Sequence, residues 1–325
     1  MGRSRDLANL GDYSASSFQI DTITDTSGGN TTSINSTTPT VNTNVGKNLL
    51  MNGGFNVWQR GTSITGTNNV WGPDRWKVYG YASNSVTVSK QSAIGSISDC
   101  EYFMRIASTS NRAWTNTNIE DVRQFHNQTV TLSFWAKTSG ATTAESLTFD
   151  MSVIYDTSGG GSASDNNIAP ETFNLTSSWQ KFTKTFTFPD MSAKSFGNNP
   201  RVTMTLYTPD YGSSVNLAVD FAKFQLEYGS SDTSFERKTY DEELKLCQRY
   251  YEYGKSWAGP RYSDSVALMY GAFKVTKRTI PTMTYSSISG GTPGTNTADV
   301  SEILFYCTSA QNSDGRAWWY ASAEF

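Results

Sequence analysis

Apolar and polar side chains alternate with a period of two along several short segments between residues 130 and 228. In VTLSFWAK, the apolar residues Val130, Leu132, Phe134 and Ala136 fall on one face and polar or amphipathic residues on the other. LTFDMSVIY, QKFTKTFTF and VTMTLY alternate in the same way, with Lys184 as the one residue out of pattern. Alternation of this kind, interrupted by turns of Gly, Ser, Asn and Asp, predicts antiparallel strands that form a β-sandwich or jelly roll.

A later segment, VNLAVDFAKFQLE, changes the parity of its apolar positions. Leu217, Val219 and Phe221 share one parity, whereas Phe224 and Leu226 share the other. A shift of one residue within a strand is the signature of a β-bulge. We therefore predict a bulge near Ala222.

One segment, residues 239–254, has the pattern of a helix. Thr239 and Glu242 have the spacing of a capping box, and Gly254 is positioned to end the helix. Negative side chains in the first turn favour the positive end of the helix dipole. The apolar residues form two faces, Leu244 with Cys247 and Tyr251, and Leu246 with Tyr250. Two apolar faces predict a helix that lies between two domains or two subunits.

These patterns predict a mainly β protein in three parts. Residues 1–46 form an extended segment, because 26–46 contain no charged and no aromatic residue and cannot bury enough apolar surface to fold alone. This segment is either a disordered linker or a peptide that becomes ordered on another protein. Its apolar positions for such docking are Leu7, Leu10, Tyr13, Phe18 and Ile20.

The other two parts are predicted to be folded β-domains. Residues 47–238 form the sandwich, and residues 239–325 form the helix with a small C-terminal β-domain. The strands after residue 257 amount to a domain that is marginal alone, so we expect it to complete its core against copies of itself.

The composition excludes several classes of protein. The 325 residues contain 13% aromatic and 17% charged side chains, and the net charge of −3 gives no basic surface for nucleic acid. No apolar run approaches the roughly 18 residues of a membrane helix, and no signal-peptide core is evident. The three cysteines are far apart, which predicts reduced thiols in a protein assembled in cytoplasm.

No arrangement of residues in the sequence points to catalysis. The single histidine, His126, adjoins a strand start, and we interpret it as structural rather than as part of a catalytic triad. A glycoside hydrolase needs two carboxylates, and the candidates are spread along the chain: Asp150, Asp156, Glu171, Asp220 and Glu227. Because any chain of this size has many carboxylates, we predict a protein that is not an enzyme.

Three segments resemble bacteriophage virion proteins, mostly tail fibres, that contain a jelly roll similar to carbohydrate-binding modules. The segments are NLLMNGGFNVWQRG at 48–61, DFAKFQLEYGSSDTSFERKTYDEELKLCQRYY at 220–251 and FKVTKRTIPTMTY at 273–285. The third is similar to the strand that follows the helix in that family. The resemblance covers roughly residues 47–325 and is weak on which glycan is bound.

The resemblance implies a homotrimeric fibre or spike of the virion. Residues 1–46 would attach the chain to other tail or capsid proteins, the jelly roll would adhere to host surface polysaccharide, and residues 239–325 would form the trimer. Two alternatives stay open: a decoration protein of the capsid or tail that binds no glycan, and, less favoured, an enzyme that degrades surface polysaccharide.

The resemblance also suggests ligand sites. A structural calcium ion near the first and last strands would be bound by Asn52 and Asp220, although we favour ordinary hydrogen-bonding roles for both. Sugar recognition uses flat aromatic faces with polar partners, and Trp71 and Trp114 are the preferred aromatics because we place both in loops. Trp58 and Trp76 are predicted to lie in the core. The full set of candidate sugar-binding residues is Trp71, Tyr79, Tyr81, Asn111, Arg112 and Trp114.

Overall fold

The computed structural model describes residues 22–24, 31–33, 47–80, 85–109, 112–140, 146–210, 216–257, 261–263, 266–289, 292–308 and 316–325. The first strands in chain order are β1 (Thr22–Thr24), β2 (Thr31–Ser33), β3 (Ser63–Thr67), β4 (Asn69–Trp71), β5 (Lys77–Gly80), β6 (Ser85–Ser92) and β7 (Tyr102–Ser108). Those that follow are β8 (Ala113–Ile119), β9 (Thr129–Thr138), β10 (Ser146–Ile154), β11 (Asp165–Asn174), β12 (Gln180–Thr187), β13 (Arg201–Tyr207) and β14 (Leu217–Tyr228). The remaining elements are helix α1 (Tyr240–Gln248) and strands β15 (Tyr251–Trp257), β16 (Arg261–Ser263), β17 (Val266–Ala272), β18 (Thr282–Ser289), β19 (Thr292–Ala298), β20 (Glu302–Thr308) and β21 (Arg316–Ser322).

The predicted β-sandwich is confirmed as two six-stranded antiparallel sheets. The first sheet has the order β11-β10-β13-β8-β5-β4, and the second sheet has the order β12-β9-β14-β7-β6-β3. The inward faces share one core, in which Val130, Leu132 and Phe134 are fully buried, as the alternation predicts. Trp58 and Trp76 also lie in this core, again as predicted.

The predicted bulge is present in β14. Its pairing with β9 shifts register between Ala222 and Gln225, and Lys223 between them has a left-handed φ of 55°. The bulge turns Phe224 inward, where its ring stacks on that of Phe134 with the centroids 4.9 Å apart. The change of apolar parity in the sequence therefore corresponds to a switch, within the strand, in which alternate side chains face the core.

The lysine that departs from the alternation, Lys184, also has a structural explanation. It lies on β12, at the edge of the second sheet, and its ammonium is 2.7 Å from the carboxylate of Glu171 on β11, the edge of the first sheet. This ion pair connects the open edges of the two sheets, where part of each side chain remains in solvent.

The helix begins as predicted and ends earlier than predicted. The capping box is confirmed, because the Thr239 hydroxyl accepts from the Glu242 N–H and the Glu242 carboxylate accepts from the Thr239 N–H. The helix ends at Gln248, so the prediction that Gly254 ends it is wrong. Gly254 lies inside β15, where an added Cβ would collide with the Trp319 ring. The glycine is thus needed for close packing of β15 against the Trp319 ring.

The C-terminal strands form two sheets. The C-terminal sheet has the order β15-β21-β18, and a four-stranded sheet has the order β16-β17-β20-β19. Residues 273–281 precede β18 as irregular structure, so the expectation of a strand across FKVTKRTIPTMTY is correct only from Thr282 onward. In that irregular segment, the buried Lys277 ammonium donates to the Gln248 carbonyl and to the Glu252 carboxylate, each at 2.6 Å.

Two compact units make up the chain, Met1–Asn44 and Val45–Phe325. In the first unit, β1 and β2 pair as an antiparallel ribbon. The docking residues predicted there, Leu7 to Ile20, lie outside the described residues. The division at residue 238 and the trimerising role of residues 239–325 stay predictions. In the described part of the chain, no helix is long and apolar enough to cross a membrane.

Gly53 provides a test of how the first segment packs on the bulged strand. A Cβ at this position would meet the backbone carbonyl oxygen of Phe224, which cannot move without disturbing its hydrogen bond from the Asn48 side chain and the bond from the Phe224 N–H to the Gly53 carbonyl. We expect Gly53→Ala to lower the free energy of unfolding by about 1–3 kcal/mol or more, seen as a fall of several degrees in the melting temperature. Gly54→Ala is the matched control, because its Cβ would meet the Phe235 ring at 3.5 Å and the Asn56 side-chain amide at 3.8 Å, both ordinary contact distances. Equal melting temperatures for the two variants would contradict this packing.

Candidate functional site

The outward face of the first sheet carries two adjacent rows of side chains. In the aromatic row, Tyr207, Trp114 and Tyr79 are cross-strand neighbours on β13, β8 and β5. Thr148 of β10 and Asn69 of β4 continue the row at its two ends. The three aromatic side chains are half-buried, so each ring packs on the sheet and still presents part of its surface to solvent.

The second row, which we call the polar row, lies two residues along each strand from the first. It crosses β4, β5, β8, β13 and β10 in order, with Trp71, Lys77, Asn116, Thr205 and Asp150 as cross-strand neighbours. Because side chains two residues apart on a strand share a face, the two rows form one continuous surface. Aromatic rings thus lie beside hydroxyl, amide, carboxylate and ammonium groups.

The rings of this surface are held in defined positions. Tyr79 and Trp114 stack with their centroids 5.1 Å apart and their planes 10° from parallel. The Arg112 guanidinium carbon lies 4.4 Å from the centre of the Tyr207 ring, and a small cleft opens between these residues, Trp114 and Thr205. Flat rings beside polar groups suit a ligand that has both apolar C–H faces and hydroxyls.

Two polar atoms of the polar row lack protein partners. Asp150 Oδ1 and Asn116 Oδ1 are buried and accept no hydrogen bond from the described residues. Burial raises the pKa of Asp150 above its usual value, and this effect outweighs the lowering by the nearby Met151 N–H and Ser152 hydroxyl. Buried acceptors without partners cost free energy in the unliganded protein, and a ligand that donates hydroxyl hydrogens would remove that cost.

The structure brings several of the predicted sugar-binding residues together. Tyr79, Trp114 and Arg112 lie in the aromatic row or at its edge, and Trp71 lies in the polar row. Trp71 and Trp114 are strand residues, so the prediction that they lie in loops is wrong. Cross-strand pairing with Lys77 and with Tyr79 and Tyr207 extends the sheet through both positions.

Two predicted residues cannot be placed, and three residues of the rows were not predicted. Tyr81 and Asn111 lie outside the described residues. Tyr207, Asn116 and Lys77 were missed, although the alternation contained the signal. In VTMTLY, Tyr207 has the parity of the solvent-facing threonines, and an aromatic ring on a wet face is a binding candidate.

The two predicted calcium ligands have protein partners of their own. The Asn52 side chain is fully buried, donates to the carbonyls of Val57 and Asp74 and accepts from the Val57 N–H. The buried Asp220 carboxylate forms two hydrogen bonds with the Arg105 guanidinium, at 2.7 and 2.9 Å. A cation beside Arg105 would be repelled, so these donors do not fit calcium, and its binding stays an untested prediction.

His126 has the structural position that we predicted. Its Nδ1 accepts a hydrogen bond of 2.9 Å from the Met191 N–H, which ties the start of β9 to the loop after β12. Among the residues that the structure describes, no group of three or more His, Cys, Asp or Glu is arranged to hold a metal ion. Cys100 and Cys247 carry free thiols.

The sandwich matches a family of known function. The sequence profile of the carbohydrate binding domain family CBM_4_9 matches residues 47–209, which is half of the chain. No curated protein sequence is similar enough to this chain to match it.

Several solved structures are similar at low identity. A CBM4 structure is 18% identical over 55% of this chain and 98% of its own, with a TM-score of 0.32. The CBM22-1 xylan-binding domain of Paenibacillus barcinonensis Xyn10C is 12% identical over 52% and 95%, with a TM-score of 0.34. Tailspike protein 4 of bacteriophage CBA120 is 11% identical over 56% and 21%, with a TM-score of 0.36.

Asp150 allows a test of the electrostatics of this face. Because burial raises its pKa in the folded protein, the stability associated with this group is greatest at acid pH and is lost as the pH rises through the folded-state pKa. We expect Asp150→Asn to raise the melting temperature at pH 7, and the difference from the unsubstituted protein to shrink toward acid pH.

Asp190→Asn is the control of opposite sign. The Asp190 carboxylate accepts a hydrogen bond of 2.7 Å from the Ser192 N–H, and this bond lowers its pKa. Its contribution is present at neutral pH and is lost as the pH falls, so this variant should melt earlier at pH 7. A fall in melting temperature for both variants would show that the ionised Asp150 carboxylate does not destabilise the folded protein at pH 7.

Proposed function

The chain belongs to the carbohydrate binding domain family, and from this premise we propose that its sandwich binds a polysaccharide on the outward face of the first sheet. The aromatic row stacks on the C–H faces of successive sugar rings. The polar row hydrogen-bonds the hydroxyls. The observation that carries this proposal is the stacked pair of Tyr79 and Trp114, held side by side on neighbouring strands and open to solvent.

The chemistry of the polar row supports a ligand rich in hydroxyl groups. Asp150 and Asn116 each present a buried oxygen that needs a donor. Lys77 and Arg112 supply donors, and both are fixed by neighbouring rings. A sugar chain donates and accepts at every ring, so it satisfies both kinds of group at once.

We further propose that the chain binds without cleaving. Glycoside hydrolysis uses a pair of carboxylates on either side of the scissile bond. Asp150 is the single carboxylate of the two rows. Its burial and raised pKa fit a hydrogen-bonding role in the polar row.

The resemblance of residues 48–61 and 220–251 to phage fibre proteins supports a finer proposal. We propose that the chain is a fibre or spike protein of a bacteriophage virion, assembled in the cytoplasm of its host, in which three copies present equivalent sugar sites. Residues 1–46 attach it to other tail or capsid proteins. Three linked weak sites would bind a repetitive surface polysaccharide far more tightly than one site does.

Trp114→Ala tests the sugar site. A stacked ring lost from a binding surface typically costs about 2 kcal/mol, roughly a 30-fold loss of affinity per site. We expect this variant to lose most of its retardation in affinity gels that contain soluble xylan, β-glucan or bacterial lipopolysaccharide. Its melting temperature should stay nearly unchanged, because removal of a core tryptophan would instead cost about 3–5 kcal/mol of stability.

Trp179→Ala is the matched control. Trp179 is also half-buried, and its ring lies 5.3 Å from the Phe103 ring and 5.4 Å from the Lys137 ammonium. It belongs to a small apolar cluster with Phe103, separate from the main core and from the two rows of the first sheet. This variant should keep full binding. If the intact chain binds no polysaccharide in such gels or on a glycan array, the decoration role without sugar binding is favoured. Release of reducing ends would favour the depolymerase.

The trimer is tested by the mass of the full chain in solution. Light scattering coupled to size exclusion should give three times the chain mass. A monomer at micromolar concentration would refute the homotrimer, and it would leave the sugar site untouched.

A further inference from the structure

The solvent-facing side of the C-terminal sheet is an aromatic surface outside the family match. Tyr251, Tyr253 and Lys255 of β15 lie on this side, paired with Ser322, Tyr320 and Trp318 of β21, and Tyr251 is buried beneath the Arg60 guanidinium at the end of the face. Tyr253 and Trp318 are 40% and 36% exposed, more than most large aromatic side chains among the described residues. We call this surface the C-terminal aromatic face.

The third strand of the sheet adds small hydroxyl side chains to this face. Thr282, Thr284 and Ser286 of β18 pair with Ser322, Tyr320 and Trp318 and are exposed. The apolar side chains of the same strands point the other way, into a small core with Phe273, Trp319 and Ala321. The sheet therefore has an aliphatic and aromatic inner side, and an outer side of rings and hydroxyls with no aliphatic side chain at the paired positions.

The rings of this face lie close together, and, like those of the first sheet, they have a positively charged side chain beside them. The Tyr253 ring lies 6.1 Å from Trp318 and 6.4 Å from Tyr320, and it is stacked on the latter. The Lys255 ammonium lies 5.9 Å from the Trp318 ring. Stacked rings beside ammonium and hydroxyl groups repeat the chemistry of the proposed sugar site.

One arginine connects the two surfaces. The Arg60 guanidinium carbon lies 5.0 Å from the Trp71 ring, at the end of the polar row, and 3.6 Å from the Tyr251 ring, on the C-terminal aromatic face. Its other contacts fix it in place, since it pairs with Glu324 at 3.2 Å and lies 3.8 Å from Asp74. A cleft lined by Arg60 and by Tyr251, Tyr253, Trp318 and Tyr320 opens beside it.

A continuous path of side chains results. It passes from Trp114 through Tyr79 and Lys77 to Trp71, and then across Arg60, which covers the buried Tyr251 ring, to the cleft beside Tyr253. A chain-like ligand that lies on the first sheet and extends past Trp71 meets the second aromatic surface without crossing a break in this path. Such continuity favours an extended polymer over a second small ligand.

We propose that the C-terminal aromatic face is a second contact surface for the same polysaccharide chain, which rests on the proposed function of the first sheet. Short oligosaccharides occupy the two rows of the first sheet. Longer chains cross Arg60 and stack on Tyr253 and Trp318. The two surfaces together select polymeric sugar over its short fragments.

The chemistry of the face distinguishes this occupant from a second copy of the chain. A permanent subunit interface resembles a domain core and is rich in apolar side chains. This face instead alternates rings with Thr, Ser, Lys and Arg, and its exposed threonines can exchange hydrogen bonds with water for hydrogen bonds with a ligand. A sugar chain supplies those partners along its whole length.

The experiment compares Trp318→Ala and Tyr253→Ala with the intact full chain on short and long fragments of whichever polysaccharide retards it among xylan, β-glucan and lipopolysaccharide. Affinity for short fragments should be unchanged. Affinity for long fragments should fall by about tenfold for each ring lost. Tyr228→Ala, which removes a 44% exposed tyrosine from the second sheet, is the control and should bind both lengths normally.

Each outcome of the experiment supports or refutes the second surface, and the outcomes distinguish its failure from failure of the first. If both variants bind long fragments as the intact chain does, while Trp114→Ala does not bind, the second surface is refuted and the first stands. If no polysaccharide binds the intact chain, the proposed function fails and this inference fails with it. If either variant lowers the mass of the protein by light scattering, the face is a contact between copies, and the proposal is overturned.

Discussion

The position of one ring, that of Phe224, determines how the sandwich is closed. The bulge in β14 turns Phe224 inward, where it stacks on Phe134 and lies 4.8 Å from Trp76 and 5.8 Å from Phe55. These partners come from β9 of the second sheet, from the connection between β4 and β5 of the first sheet and from the segment before β3. Its backbone is engaged as well, since its N–H donates to the Gly53 carbonyl and its carbonyl accepts from the Asn48 side chain. The first and last segments of the sandwich are thus joined at Phe224 and, two residues later, at Leu226, whose carbonyl accepts from the Leu49 N–H.

A second set of contacts determines where the C-terminal sheet lies relative to the aromatic and polar rows. The buried Arg75 guanidinium carbon lies 3.4 Å from the Tyr250 ring, pairs with Glu324 and donates to the Asn118 carbonyl on β8. Arg249 pairs with Glu120 at 2.9 Å on the same side. Removing one partner of the buried Arg75–Glu324 pair would leave an uncompensated buried charge, so this pair holds the C-terminal sheet in a fixed orientation on the sandwich. A fixed orientation is what places Tyr251 against Arg60.

The sequence was sufficient for the strands, the bulge and the helix start, because each depends on local chemistry. Alternation identified the buried side of β9 and β13, and the capping box identified Thr239. The sequence was insufficient for the end of the helix. A glycine after a helical pattern normally indicates a helix end, but Gly254 is a glycine because the Trp319 ring of a distant strand leaves no room for a Cβ. Signals that depend on a partner far along the chain cannot be read from neighbouring residues.

The candidate site was predicted only in part for the same reason. Trp114 and Tyr79 were identified as aromatics of the right type, but the assignment of Trp114 to a loop was wrong because the Ser, Asn and Arg residues just before it resemble turn chemistry. What makes these residues a site is their register: Tyr207, Trp114 and Tyr79 are adjacent only because β13, β8 and β5 pair in that order. Strand order is a property of the whole fold, and no single segment contains it.

Placement on strands has a consequence for binding itself. A ring on a loop loses conformational freedom when it stacks on a ligand, and that loss reduces the affinity. Tyr79 and Trp114 are already held by cross-strand pairing and by each other, so little order remains to be imposed on them. The same holds for Tyr253 and Tyr320, which pair directly across β15 and β21. Preorganised rings allow a weak, repetitive ligand such as a sugar polymer to be bound through modest contacts, because those contacts are not offset by ordering of the protein.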